Sequence, residues 1–327
     1  MIGRRKVIVG LGSAAAWPVA VWAQQGDRVR RIGVLMGYRE GDPEGKSYIS
    51  SFTQRLSELG WTESRNLRMD VRWAAGDVNR MRAIAKELVD LQPELIVAHT
   101  TSVTAALQRE TRTIPIVFTN VADASGFVEG LAHPGGNMTG FLMQEPSLGG
   151  KWLGLLKEIA PAVTRVAMMF NPDTAAGGGS YYLPSFEAAA RSLKVEPITA
   201  PIRSDAEIEM VITSLALQGG LLAMPDIYIN TNRATIISIA ARNKVPAVYF
   251  NTSFVRGGGL LSYGPNEVDV FRSSASYVDL ILRGTKPADL PVQLPVKFEM
   301  AVNLKTANAL RLTVPQSIML LADEVIQ

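Results

Sequence analysis

The sequence predicts an α/β fold of two Rossmann-like lobes with parallel sheets, on three observations. Apolar runs of strand length alternate with segments of helical periodicity from residue 31 onward. The rhythm passes through about four βα units, pauses over 134–150 among Gly and Pro residues, and then restarts. The 327 residues include no cysteine, so the core must hold without disulfides, which suits two sizeable domains. A TIM barrel is the competing eight-strand reading. It needs one closed sheet without a pause, and the stretch 134–150 weighs against it.

Taken in order, 31–36 (RIGVLM) reads as a first buried strand. Residues 48–59 carry apolar side chains at 48, 49, 52, 56 and 59 and stop at Gly60, a helical stripe with its terminator. A strand at 67–73, a helix at 81–91, a strand at 95–98, a helix at 102–109 and a strand at 114–118 complete the first half. After one strand-like piece inside the pause, the second half offers helix 148–159, strand 165–170, helix 183–193 and strand 195–199. Helix 205–217, strand 221–224, helix 232–243 and strand 247–250 follow. A Gly turn at 257–259, a strand at 260–263, a helix at 268–282, a strand at 298–302 and a helix near 306–310 end the chain.

The first 23 residues predict an export signal. Arg4, Arg5 and Lys6 precede an apolar, Gly/Ala-rich run over 7–20, and Val21-Trp22-Ala23 places small residues where a signal peptidase reads. The run is too short for a membrane span and holds Pro18. Arg4-Arg5 also fits a twin-arginine signal. No lipobox cysteine follows, so the sequence predicts an exported chain without a lipid anchor and an address in the periplasm. The chain carries 33 basic and 30 acidic residues, and three of the positives lie in this segment. The balance beyond it is even, which argues against nucleic acid and membrane surfaces as partners.

In parallel α/β sheets ligands bind beyond the carboxyl ends of strands, near helix amino ends. Those positions hold Gly37, Tyr38 and Arg39 after the first strand, then His99, Thr100, Thr101 and Ser102 after the third. Thr119, Asn120 and Asp123 follow the fourth, and Asn171, Asp226 and Asn251 end three strands of the second half. Any one of them could serve only as a turn or cap. As a set they describe short hydrogen-bonding groups facing one cleft, with Thr100–Ser102 opening a helix where a carboxylate could sit. Catalytic patterns are missing. There is no thiol and no GxSxG, and Gly149-Gly150-Lys151 runs into Trp152 rather than a phosphate-loop Ser or Thr. His99 and His133 are the only histidines, and His99 has no acidic neighbour at metal-ligand spacing.

Six segments carry a resemblance: 114–123 (IPIVFTNVAD), 133–140 (HPGGNMTG), 258–265 (GGLLSYGP), 286–293 (KPADLPVQ), 303–307 (NLKTA) and 312–315 (LTVP). Together they make the chain resemble the ABC-transporter substrate-binding proteins of the tryptophan/tyrosine-binding family over about residues 30–327. The resemblance implies a type I periplasmic binding fold, two lobes closing on a ligand about a three-segment hinge. It implies an N-terminal lobe of 28–140 plus 260–286 and a C-terminal lobe of 141–259 plus 287–327. The hinge crossings would lie near 139–143, 251–262 and 284–290. The implied cleft residues are Met36, Tyr38, Thr100, Thr101, Ser102, Asn120, Asp123, Asn171, Asp226, Asn251 and Tyr263. The chain departs from the resemblance at Asp123-Ala124, where many relatives have Asp-Pro, and in a Gly-rich stretch after Asn171, which leaves the ligand open.

The function expected is the periplasmic solute-binding component of an ABC importer. It would be a monomer that hands a small molecule, an amino acid or another carboxylate or aromatic compound, to a membrane permease, with no catalysis, metal or cofactor. Two alternatives remain: a periplasmic sensor docking on a membrane receptor, and an exported α/β hydrolase using Asp123 or His99.

Overall fold

A computed structural model of the chain describes residues 29–143 and 145–327, so the expected export segment lies outside the described residues. The first lobe is built on β1 (Arg30–Met36), α1 (Pro43–Glu58), β2 (Leu67–Trp73), α2 (Val78–Asp90), β3 (Leu95–His99), α3 (Thr101–Glu110), β4 (Ile116–Val121) and β5 (Met138–Leu142). Its strands form an all-parallel sheet in the order β2-β1-β3-β4-β5. The inner strands are flanked by neighbours and covered on both faces, which is why they read as unbroken apolar runs: all five residues of β3 are buried. The α1 helix begins where Asp42 accepts the Glu44 N–H (2.9 Å) and Pro43 pre-sets the first turn. It buries Tyr48, Phe52 and Leu56, spaced four residues apart, against the sheet.

The second lobe comprises α4 (Leu148–Ile159), β6 (Arg165–Phe170), α5 (Leu183–Leu193), β7 (Glu196–Pro201), α6 (Asp205–Ser214), β8 (Gly219–Ala223), α7 (Ile227–Thr231), α8 (Arg233–Arg242), β9 (Ala247–Tyr249), α9 (Thr252–Arg256) and β10 (Leu261–Pro265). The chain then returns to the first lobe as α10 (Glu267–Leu282), whose Phe271, Ala275 and Val278 are buried in the same core as Phe52. It crosses back to end as β11 (Phe298–Asn303), α11 (Leu304–Ala309), α12 (Gln316–Leu321) and β12 (Glu324–Ile326). The second sheet runs β12-β11-β10-β9-β8-β6-β7, parallel except where β10 meets β11. Each lobe has its own hydrophobic core.

The chain crosses between the two sheets three times, and two of the crossings fall at other positions than the resemblance implies. The strand Leu261–Pro265, expected in the N-terminal lobe, lies between β9 and β11 of the second sheet, so the return falls at Asn266. Residues 287–292, expected in the C-terminal lobe, stay with the first. Leu290 O accepts from Thr139 Oγ1 (2.6 Å), the Val292 N–H reaches Leu131 O (2.7 Å), and both side chains join the first core. Gln293 still bonds β5 at Gly140 and Leu142, so the third crossing is 294–297. Apolar runs announce a strand without naming its sheet, because neighbour choice depends on pairing partners distant in sequence. The short elements α7, α9, α12 and β12, of three to six residues, were not expected and carry too few residues for a period to show.

Candidate ligand-binding site

The carboxyl ends of the two sheets face each other, and a narrow cavity of about 30 Å³ lies between them. From the first lobe it is lined by His99, Thr100, Thr101, Asn120, Ala122 and Glu267, with Met143 at the first crossing. From the second come Thr174, Ala176, Pro225, Asp226, Ile227, Asn230 and Phe250. The lobes touch directly around it. Asn230 Nδ2 donates to the Tyr38 hydroxyl (2.7 Å), Asn251 Nδ2 to Glu267 Oε1 (3.2 Å), and Arg233 pairs with Asp42 (2.7 Å). Ile227, at the start of α7, is buried in the first lobe's core, and a Cβ on Gly37 would stand 2.8 Å from its Cγ1. The lobes are therefore closed on one another.

Two buried carboxylates dominate the electrostatics. Glu267 opens α10 and receives the Tyr48 hydroxyl (2.7 Å) and Asn120 Nδ2 (2.8 Å) on Oε2, besides Asn251 on Oε1. Burial nevertheless pushes its pKa up to about 7, the three donors opposing the shift. Asp226 caps α7 through the Tyr228 N–H (2.8 Å), and accepts the Asn171 N–H (2.6 Å) and the Thr174 hydroxyl. Burial raises it to about 6. His99 is neutral, since burial lowers its pKa to about 3. Its Nδ1 accepts the Gly37 N–H (3.2 Å), which leaves the proton on Nε2, and its ring stacks on Tyr38. Among the described residues lining the cavity none is Lys or Arg.

Two backbone outliers mark the same spot. Thr100 sits at φ 83° and Asn120 at φ 54°, both left-handed and both at strand ends facing the cavity, Asn120 where the β4–β5 register shifts. Asn120 is 4% exposed, and with Nδ2 committed to Glu267 its Oδ1 finds no hydrogen-bond partner among the described residues. The Thr100 side chain makes no bond to cap α3, so the amino end of this ten-residue helix faces the cavity with N–H groups to offer. The site is thus acidic and acceptor-rich on one side and donor-rich at the α3 end, with Ala122, Met143, Ala176 and Phe250 as apolar wall.

Of the residues expected in the cleft, Thr100, Thr101, Asn120 and Asp226 line the cavity, while Tyr38, Asn171 and Asn251 hold its lining by the bonds above. The other four do not line it. Met36 points into the first core, opposite Trp73 of β2. Ser102 lies one position further along α3 with its hydroxyl 3.3 Å from that of Thr100. Asp123 turns back to cap its own loop at the Ser125 N–H (2.9 Å). Tyr263 stacks on Phe298 beneath the Lys151 ammonium, on β10. Glu267, Asn230, Thr174 and Phe250 were not anticipated. Glu267 had a signal: Pro265-Asn266 ends a strand and caps a 16-residue helix, the same junction that marked the others.

The model of the ABC transporter substrate binding protein family matches residues 42–326. This chain belongs to that family. Its fold is that of type I periplasmic binding proteins. The chain is 26% identical over 265 residues to the tyrosine-binding protein of Clostridioides difficile, covering 79% of this chain and 75% of that one. A conserved domain protein of Vibrio cholerae has a crystal structure similar to this one at TM-score 0.84 and 26% identity, covering 91% of this chain and all of that one. An ABC domain of Streptococcus pneumoniae in complex with L-Trp is similar at TM-score 0.83 and 24% identity over the same shares. Members of the family are solute-binding rather than catalytic proteins and work outside the cytoplasm.

Proposed function

We propose that this protein is the periplasmic solute-binding component of an ABC importer and that it takes an amino acid with an apolar or aromatic side chain. The ammonium lies toward Asp226, Glu267 and Asn120 Oδ1, the carboxylate at the amino end of α3 beside Thr100 and Thr101, and the side chain against Phe250 and Met143. The observation that carries this reading is the Asn120 acceptor, buried and without a partner among the described residues, beside two carboxylates in a cavity with no lining cation. Such a site calls for a cationic donor from the ligand. The names of two relatives, a tyrosine-binding protein and a domain holding L-Trp, support the same class. The signal-like segment 1–23 supports export to the periplasm, and an ABC permease is the partner to which a monomeric clamp of this kind delivers its solute.

The test is isothermal titration with the twenty amino acids at pH 8, followed by the deaminated and decarboxylated analogues of the tightest binder. Both analogues are expected to bind at least tenfold more weakly. Failure of every amino acid to bind, or a deaminated analogue that binds as well as its parent, ends the reading.

A further inference from the structure

Glu267 occupies a position that recognition alone does not require. It is the first residue after the second crossing, and its two oxygens are held by different lobes: Oε2 by Tyr48 and Asn120 of the first, Oε1 by Asn251 of the second. Only 5% of it is exposed, and Asn251, which bonds Oε1, belongs to the lobe that swings away when the cleft opens, as do Asn230 and Phe250, which line the same cavity. The titratable groups around it offer no compensating charge. Tyr48 and Glu44 face it from α1, Tyr38 from the segment after β1, neutral His99 from the end of β3, and Asp226 across the cavity, while Asp269 follows on its own helix. The cations that reach Glu44 and Tyr38, Arg233 and Arg256 of the second lobe, are paired with Asp42 and Glu324.

We propose that Glu267 makes lobe closure conditional on the ligand: closing buries its carboxylate, and the ligand's ammonium supplies the positive charge without which that burial is unfavourable. A proton is the only substitute available when no ammonium is present. With the lobes apart the group faces the widened cleft, is hydrated, and titrates in the ordinary carboxylate range. With the lobes closed it titrates near 7. Closure of the ligand-free protein therefore takes up a proton, and at neutral pH and above it is held back. The device keeps an empty clamp open, so that the closed form offered to a membrane partner is the loaded one. This inference rests on the ammonium reading of the site, and the experiment separates the two.

The chain lacks cysteine, so Ala83→Cys on α2 and Met210→Cys on α6, both exposed, give one spin label per lobe without background. Pulsed electron-resonance distances then give the closed-to-open ratio. Between pH 8 and pH 5.5 the ligand-free ratio is expected to rise by about 30-fold or more, the proton-uptake factor for a carboxylate moving from its ordinary value to about 7. In E267Q, whose amide oxygen still accepts from Tyr48 and Asn120, the rise is expected to shrink to about 4-fold or less, the ceiling set by Asp226, whose partners all lie in its own lobe. E267Q should also be more closed than the parent at pH 8. Adding L-tyrosine or L-tryptophan at pH 8 should close the parent.

A ligand-free ratio unchanged between the two pH values overturns the proposal even if E267Q does not fold, and so does a full pH response retained in E267Q. If the pH response is as expected but no amino acid closes the protein at pH 8, the proton linkage of Glu267 stands and the amino-acid reading of the site falls.

Discussion

Removing one hydroxyl should separate the energetics of closure from those of folding. In Tyr38→Phe the ring keeps its stack on His99, with centroids 5.2 Å apart and planes inclined by 18°. What is lost is the acceptor for Asn230 Nδ2, which lies 2.7 Å away on the other lobe. Asn230 is 5% exposed when the lobes are closed, so its N–H is left buried and unpaired, at about 1–3 kcal/mol. With the lobes apart the same N–H is hydrated and nothing is lost. The penalty therefore falls on the closed form alone and should weaken ligand binding by about 5- to 150-fold. Isothermal titration with the best amino acid measures the binding, and chemical denaturation of the ligand-free protein measures the fold. Affinity unchanged within twofold would refute the reasoning, and so would a ligand-free stability lowered by the full 1–3 kcal/mol, since either means that the bond does not report closure.

Gly37→Ala should act on the same motion by sterics. The new methyl would stand 2.8 Å from Ile227 Cγ1 across the cleft. Affinity should fall at least tenfold, with an enlarged radius of gyration in small-angle scattering and an unchanged circular dichroism spectrum. Arg233→Met removes the interlobe pair with Asp42, whose side chains are 20% and 10% exposed. The cost should be about 1 kcal/mol, or roughly fivefold in affinity, and 1 M salt should weaken the parent but not the variant. Asp226 gives a pH signature. Its folded pKa of about 6 lies above the unfolded value, so the native state holds the proton longer and stability falls as pH rises from about 4 to 6. Asp226→Asn should gain on the parent by about 2.4 kcal/mol between pH 4 and pH 7 in denaturant titrations, and equal slopes would contradict the assignment.

The sites where sequence reasoning reached the cleft share one property. Thr100, Thr101, Asn120 and Asp226 lie at the carboxyl ends of buried strands or within three residues of them, and in a parallel sheet every such junction emerges on the same side, so listing junctions lists the floor of the cleft. The misses follow from what a junction does not specify. Met36 is also at a strand end, but the pleat turns its side chain into the core. Asp123 is one loop position too far and bonds its own backbone. Asn230 enters the cavity because α7 meets Gly37 and the Tyr38 hydroxyl across the cleft, a relation between segments about 190 residues apart that no local pattern encodes.

Two lobes, parallel sheets and a set of polar strand ends were determined by the sequence alone, because burial imposes periods of two and 3.6 and turn chemistry leaves Gly, Pro, Asn and Asp at the breaks; the three crossings came only with the family resemblance. The tertiary structure decided which sheet β10 joins, where the chain recrosses after Val292, and above all that Glu267 is sealed between lobes beside an unpaired Asn120 oxygen. A carboxylate's residue type is written in the chain, but its solvation is not. That depends on what the second lobe covers when it closes, and only the folded arrangement determines it.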